Sequence, residues 1–255
     1  MEIKSSKAET QGKSYLIENM NWIRAEEIIK EKEVVLIALG ARTKEHGPHL
    51  LLKNDYLIAE HLRNRVCEQV SVIILPTLQY GYYPAFLEYP GSVSLKSETF
   101  QNVIIDICES MHGYGIKKFY ILNTGVSTLE PLRLASVKLQ TKGIILKYSN
   151  LLEIDERLPE NLLSQEGGTH ADEGETSFML YIATETVNMK QAVEDYDNRP
   201  NLRGLSRIYN KTSHYSPTGI WGNPTLATKE KGKLIEEEMV TMIIKEIQAL
   251  ISLKL

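Results

Sequence analysis

Val34 to Leu39 is a run of six consecutive apolar residues closed by Gly40. A surface helix or a half-exposed strand would interrupt such a run with polar residues, so it reads as a strand buried on both faces. The pattern recurs. Asn21 can cap a helix from Trp22 to about Lys32 ahead of that strand. Behind it, Leu57, Ile58, Leu62 and Val66 fall at helical spacing, and Val72 to Leu75 gives a second buried strand. Ser97 is placed to cap a helix with the apolar stripe Phe100, Val103, Ile104, Ile107 and Met111, closed by Gly113. Phe119 to Leu122 is a third strand; a helix from about Leu129 to Gln140, stopped by Gly143, leads to a fourth at Ile144 to Tyr148. Strands alternating with helices require a mostly parallel sheet covered on both faces, because each parallel crossover takes a dozen or more residues and is right-handed. The expectation is one α/β domain over residues 1–255, without internal repeats.

The second half is less regular: a polar stretch from Leu151 to Gly168, a helix beginning near Glu175, and a long loop from Asp195 to Thr225. That loop is rich in Gly, Pro, Tyr and Trp and is expected to fold over something rather than act as a linker. A last amphipathic helix carries Ile235, Met239, Met242, Ile243, Ile247 and Leu250 on one side. With 42% hydrophobic and 24% charged residues, the chain is not of disordered, collagen-like or coiled-coil type. A net charge of -4, with no basic cluster longer than Lys117-Lys118, argues against nucleic acid as a partner. The lack of an apolar run of about 18 residues and of a signal-peptide core argues for no membrane and a cytoplasmic location. Cys67 and Cys108 fall on the apolar sides of different helices, which suits core thiols in a reducing compartment.

In an open α/β sheet, ligands bind outside the carboxyl ends of the strands. The first strand is followed by GARTKEHGPHLLLKND, which places His46, His49 and Asp55 within ten residues around a Gly47-Pro48 turn. Neutral imidazole and carboxylate are the usual ligands of a catalytic Zn, Mn or Fe ion. A helix-capping Asp55 and histidines bonded to loop carbonyls would account for the same residues. The segment GGTHADEGETS places His170, Asp172, Glu173 and Glu175 ahead of an apolar helix. It could supply a general acid/base and a metal ligand, or cap the helix with acidic residues. The tyrosine-rich run from Tyr80 to Tyr89 offers Tyr82 and Tyr83 to a flat substrate, with loop packing or a subunit contact as the competing reading. Asn123 and Thr124, after the third strand, join them as candidate substrate-binding residues. Trp221, in a candidate lid from Tyr215, could touch ligand or anchor its loop. His61 is expected to be solvated, His112 suits a helix C-terminus, and His214 stays open. The common nucleotide, serine-hydrolase and zinc-ribbon motifs are missing from the sequence.

Taken together, these segments resemble the creatininase (creatinine amidohydrolase) family. The family's first motif, roughly G-S-x-E-Q-H-G-P-H-L-P-x-x-T-D, stands here as GARTKEHGPHLLLKND, and H-A-G-x-x-E-T-S stands as HADEGETS. Between and after them, YPGSVSL at Tyr89 to Leu95 is similar to F-P-G-T-x-S-L, and Gly222 to Gly232 to G-x-P-x-x-A-T-x-E-K-G. The resemblance runs in order over about residues 20 to 250. It implies a three-layer α/β/α sandwich with a mostly parallel central sheet. It further implies hydrolysis of a non-peptide C-N bond in a small linear or cyclic amide, and a homo-oligomer such as a hexamer. By the match His46 is a metal ligand, Asp55 a bridging carboxylate, His170 the proton shuttle to the leaving amine, and Glu175 a site carboxylate.

Two departures alter that expectation. Lys44 stands where the family has a metal-binding glutamate, with Glu45 shifted one place along, and Gly125 stands where N-G-H-x-x-N supplies a histidine. Neither ammonium nor glycine ligates a metal. The expected site therefore holds one divalent ion rather than two, zinc ahead of manganese or iron, on His46, Asp55 and Glu175. The Lys44 ammonium fills the vacated position and pairs with Asp55 or Glu45, both Lys44 and Glu45 counting among the catalytic candidates. Two alternatives remain: a degenerate member serving as a small-molecule binding or assembly protein, and a metal-free enzyme using Lys44 as electrophile or Schiff-base former.

Overall fold

Along the central strand, side chains alternate between two cores, as the period of two in an extended chain dictates. Val34 and Leu36 face one core, and Val35, Ile37 and Leu39 the other. The computed structural model describes residues 9–154 and 157–254. Residues 1–8 of the polar start, on which the lack of a signal-peptide core was read, fall outside the described residues, as do residues 155–156 of the polar stretch before Gly168.

The elements in chain order are β1 (Thr10–Gln11), β2 (Ser14–Leu16), α1 (Trp22–Glu31), β3 (Val34–Leu39), α2 (Asn54–Cys67), β4 (Ile73–Leu78) and α3 (Ser97–His112). They continue with β5 (Lys118–Asn123), α4 (Leu129–Gln140), β6 (Ile145–Tyr148), α5 (Glu173–Ile182), β7 (Leu205–Ser206), β8 (His214–Tyr215) and α6 (Lys229–Ser252). The main sheet has the order β1-β2-β4-β3-β5-β6, and all its pairs are parallel except β1 with β2. Ile28 of α1, Phe100, Ile104 and Cys108 of α3, and Leu132 and Leu139 of α4 fill one face. Ile58 and Leu62 of α2, Phe178 of α5, and Ile235, Ile243 and Ile247 of α6 fill the other. This is the expected three-layer α/β/α sandwich.

Local signals hold at most boundaries. The Asn21 side chain accepts the Arg24 N–H at 3.1 Å and opens α1. Both cysteines are free and buried. Two expectations are corrected, and one element is new. Ser97 is the first residue of α3, not its cap: Lys96 holds that position, and Ser97 Oγ accepts from Gln101 Nε2 at 3.1 Å. The β1–β2 hairpin at the sheet edge has no counterpart in the sequence reading. His61 is not simply solvated, because its Nε2 lies 2.9 Å from Glu236 of α6. No helix among the described residues is long and apolar enough to cross a membrane.

Candidate metal and active site

Three of the strand-to-helix connections at the carboxyl edge of the sheet converge on one buried centre. Its geometry begins at Gly40, just past β3: a Cβ there would lie 2.3 Å from the Asp55 carbonyl oxygen. Only glycine lets the end of β3 lie this close to the first turn of α2. That approach, with the Tyr56 N–H bonded to the Ala41 carbonyl at 3.1 Å, aims the Asp55 side chain back at the loop.

His46 is fully buried there. Its Nδ1 lies 2.8 Å from the Lys44 carbonyl oxygen, which can only accept, so Nδ1 carries a proton. Nε2 then faces Asp55 Oδ1 at 2.8 Å and Glu175 Oε1 at 3.4 Å. Three lone-pair atoms share this dry space only with a proton or a cation among them. The site's electrostatics have the same sense. Burial disfavours charge on His46, but Asp55, with Glu175, outweighs it and raises the imidazole pKa. Burial likewise works against the Asp55 carboxylate, yet Lys44 and His46 hold its pKa well below the usual range. Lys44 Nζ sits 2.7 Å from Asp55 Oδ2, both side chains almost wholly buried, and 4.8 Å above the Phe86 ring. Of the two partners expected for Lys44, Asp55 is the one in contact.

The opposite wall comes from the start of α5. Asp172 caps the helix by accepting the Glu175 N–H at 2.9 Å, and burial pushes its own carboxyl pKa up to about 6. Glu175 is held by both oxygens: Oε1 accepts from Asn54 Nδ2 and Oε2 from the Ala171 N–H, each at 2.8 Å. Its pKa is lowered, the nearby His46 and His170 prevailing over burial. His170 Nε2 lies 3.0 Å from the Glu45 carbonyl and 3.1 Å from Glu45 Oε2, which makes Nε2 the protonated nitrogen. Nδ1 is left bare, 4.0 Å from Glu175 Oε2. An antiparallel bridge to Trp221, with N–H···O distances of 2.9 and 3.3 Å, fixes the His170 backbone. One donor atom each from His46, His170 and Glu175 lies within 4.8 Å of the others. This donor set suits a small divalent cation.

A cavity of about 340 Å³ opens onto the centre, lined by Lys44, Asp55, Tyr83, Thr124, His170, Glu175 and Trp221 among others. Tyr82 does not line it and packs instead with the core on the α1, α3 and α4 side. Asn123 does not line it either: its amide nitrogen donates to the Gly125 carbonyl at 2.8 Å and its oxygen accepts from Thr128 Oγ1 at 2.6 Å. A Cβ on Gly125 would stand 3.2 Å from both Tyr83 Cε1 and Thr128 Oγ1, so Tyr83 occupies the space a longer side chain would need. His49 turns away to Thr176 Oγ1 at 2.8 Å, and burial drives its pKa down to about 4. Among the histidines left open, His214 stacks on Trp221 with ring centroids 3.8 Å apart, which anchors the long loop over the cavity. Asn54 and Phe86 were not singled out in the sequence. The one signal for Asn54 was its place beside Asp55, and Phe86 lay unmarked within the aromatic run.

The layered sheet and the cluster of buried histidines and carboxylates at its carboxyl edge place the chain in the α/β class, with a candidate site where such sheets bind ligands. Comparison narrows that class: the creatinine amidohydrolase profile matches residues 18–247, and the chain belongs to the creatininase family. It is a creatininase-like hydrolase. It is similar to the creatinine amidohydrolase of Pseudomonas putida, 25% identical over 259 residues, covering 92% of this chain and 97% of the relative. It is also similar to the mycofactocin precursor peptide peptidase of Mycobacterium ulcerans, 27% identical over 230 residues and 84% of each chain. Among solved structures, a manganese creatininase and a Zn-Zn creatininase variant share the fold. Each has a TM-score of 0.74 and 22% identity, covering 94% and 93% of this chain and 100% and 98% of theirs.

Proposed function

We propose that the protein is an amidohydrolase that holds one divalent cation on His46, Asp55 and Glu175, with His170 beside it, and cleaves the C-N bond of a small linear or cyclic amide. The observation that carries this reading is the His46 tautomer, which leaves Nε2 facing two carboxylates. Charge supports a single ion. The Lys44 ammonium, 2.7 Å from Asp55 Oδ2, already offsets a carboxylate charge that a second cation would otherwise offset. The metal forms of the structurally similar creatininases support zinc or manganese, and we favour zinc. When bound, such an ion lowers the pKa of a water molecule and polarises a carbonyl.

The chain's own residues do the rest. Lys44 keeps Asp55 charged and oriented through their contact. The Glu45 carbonyl holds the His170 Nε2 proton, so Nδ1 is free to take a proton. As water oxygen bonds to the amide carbon and the C-N bond breaks, His170 passes that proton to the departing nitrogen, giving carboxylate and amine. Tyr83, Thr124 and Trp221 wall the substrate space. The free, buried Cys67 and Cys108 support a reducing, cytoplasmic setting.

Metal content per chain, measured on protein purified without chelators or a histidine tag, tests this. About one equivalent, lost in His46→Ala, is expected. None after incubation with excess Zn, Mn or Fe would overturn the reading in favour of a binding protein or the Lys44 route, and borohydride trapping with a carbonyl substrate distinguishes those two.

A further inference from the structure

We infer that the substrate amide carries an apolar substituent, aliphatic or aryl, seated in a subsite built one helical turn behind the reacting centre. This rests on the amidohydrolase reading above. Ile58 lies three residues after Asp55 on α2, and Phe178 three after Glu175 on α5, so each shares a helix face with a centre carboxylate. Both line the same cavity as those carboxylates. One turn advances about 5 Å, and so the wall turns apolar about that far from the acids. Ile235 and Met239, a turn apart on α6, line the same cavity, as do Leu158 and Leu163 from the segment before α5.

These six side chains offer no hydrogen-bond donor or strong acceptor. A polar substituent placed among them would lose its water without replacement, whereas a hydrocarbon gains by leaving water. Two of the polar side chains that line the cavity, Gln165 and Thr124, are already engaged. Gln165 Nε2 donates to Asp172 Oδ2 at 2.7 Å, and Gln165 Oε1 accepts the Glu173 and Asn223 N–H groups, each at 3.0 Å. Thr124 Oγ1 donates to the Leu39 carbonyl at 3.0 Å. The cavity, at about 340 Å³, is also larger than a carboxamide group fills.

Turnover of acetamide, butanamide and hexanamide by the zinc-loaded protein tests this, alongside binding of acetate, butanoate and hexanoate followed by Trp221 fluorescence. Both series are expected to gain about fourfold per methylene until the wall is covered. Leu158→Gln, at a half-buried position, and Met239→Gln should each lower the hexanamide-to-acetamide ratio of kcat/KM. Acetamide turnover with flat series would overturn the subsite and leave the amidohydrolase reading standing. Zinc-loaded protein that cleaves none of the amides would count against that reading, and the carboxylate series would still decide the subsite.

Discussion

Lys44 and Asp55 form a buried ion pair at 2.7 Å, with side chains 7% and 1% exposed. Taking two charges out of water costs much of what their attraction returns, so the pair's net worth is small, but removing one partner strands the other. Lys44→Ala is therefore expected to destabilise chelator-treated protein by about 3–5 kcal/mol in urea unfolding. Added zinc should restore part of this, since a cation at His46 would compensate the same carboxylate. Unchanged stability and unchanged zinc binding in Lys44→Ala would remove its charge-balancing role. Spacing alone left helix capping as an equal reading; the residues of this centre were legible through the motifs GARTKEHGPHLLLKND and HADEGETS, which match the family in order. Which tyrosine faced the cavity was not. Tyr82 and Tyr83 are adjacent, and the choice between them depends on a bend fixed by Ser94 Oγ, which accepts the Tyr83 N–H at 2.7 Å from eleven residues away. Asn123 looked available for the same reason: its partners Gly125 and Thr128 close a local turn that only the folded loop reveals.

Between elements, α5 and α6 come close at Gly232, where a Cβ would stand 1.9 Å from the Ser177 carbonyl oxygen. Gly232→Ala must push the helices apart, and overpacking of this kind costs about 1–3 kcal/mol. Because α5 also carries Glu175, zinc affinity should fall with stability; urea midpoints and zinc titration of the variant check both. A second link joins α6 to α2, where Glu236 meets His61 at 2.9 Å and Arg65 at 2.8 Å. Burial would raise the Glu236 pKa, but the hydrogen bonds from His61 and Arg65 outweigh it and lower it. A carboxyl depressed on folding adds stability above its unfolded pKa of about 4.3 and loses it as pH falls through the folded value. Glu236→Gln should thus flatten the acid limb of the stability curve, measured by urea unfolding from neutral pH down to that limb; an unchanged limb would show the link contributes nothing. The long elements were legible from their apolar period, as in β3 and α4, and at α1 from the Asn21 cap as well. The edge strands β1 and β2 were not. They have two and three residues, and β2 exists because Tyr15 and Leu16 register with Ile73 and Ile74 and Ser14 Oγ donates to the Val70 carbonyl at 2.8 Å.

For the molecule as a whole, the sheet brings together residues 44–55, 83–86, 124 and 170–175, which share no local sequence signal of being neighbours. Their order along the chain, matched to the family, was what could be read. The apolar half of the cavity could not, since Ile58, Phe178 and Ile235 carry the same periodicity as any core residue and differ only in bordering an empty volume. A site assembled from segments this far apart exists only in the folded state, so an ion bound there stabilises the fold by mass action. At a hundredfold excess over its dissociation constant, the gain is about 2.7 kcal/mol. For a chain of this length each kcal/mol raises Tm by about 2–4 °C, so saturating zinc should raise it by roughly 5–10 °C. In His46→Ala the shift should vanish, because Asp55 and Glu175 lose the imidazole nitrogen between them while the apolar cores stay intact. Differential scanning calorimetry of chelator-treated wild type and variant, with and without zinc or manganese, decides the point. A wild-type Tm that neither ion moves would mean that a proton, and not a metal, resolves the three lone pairs around His46.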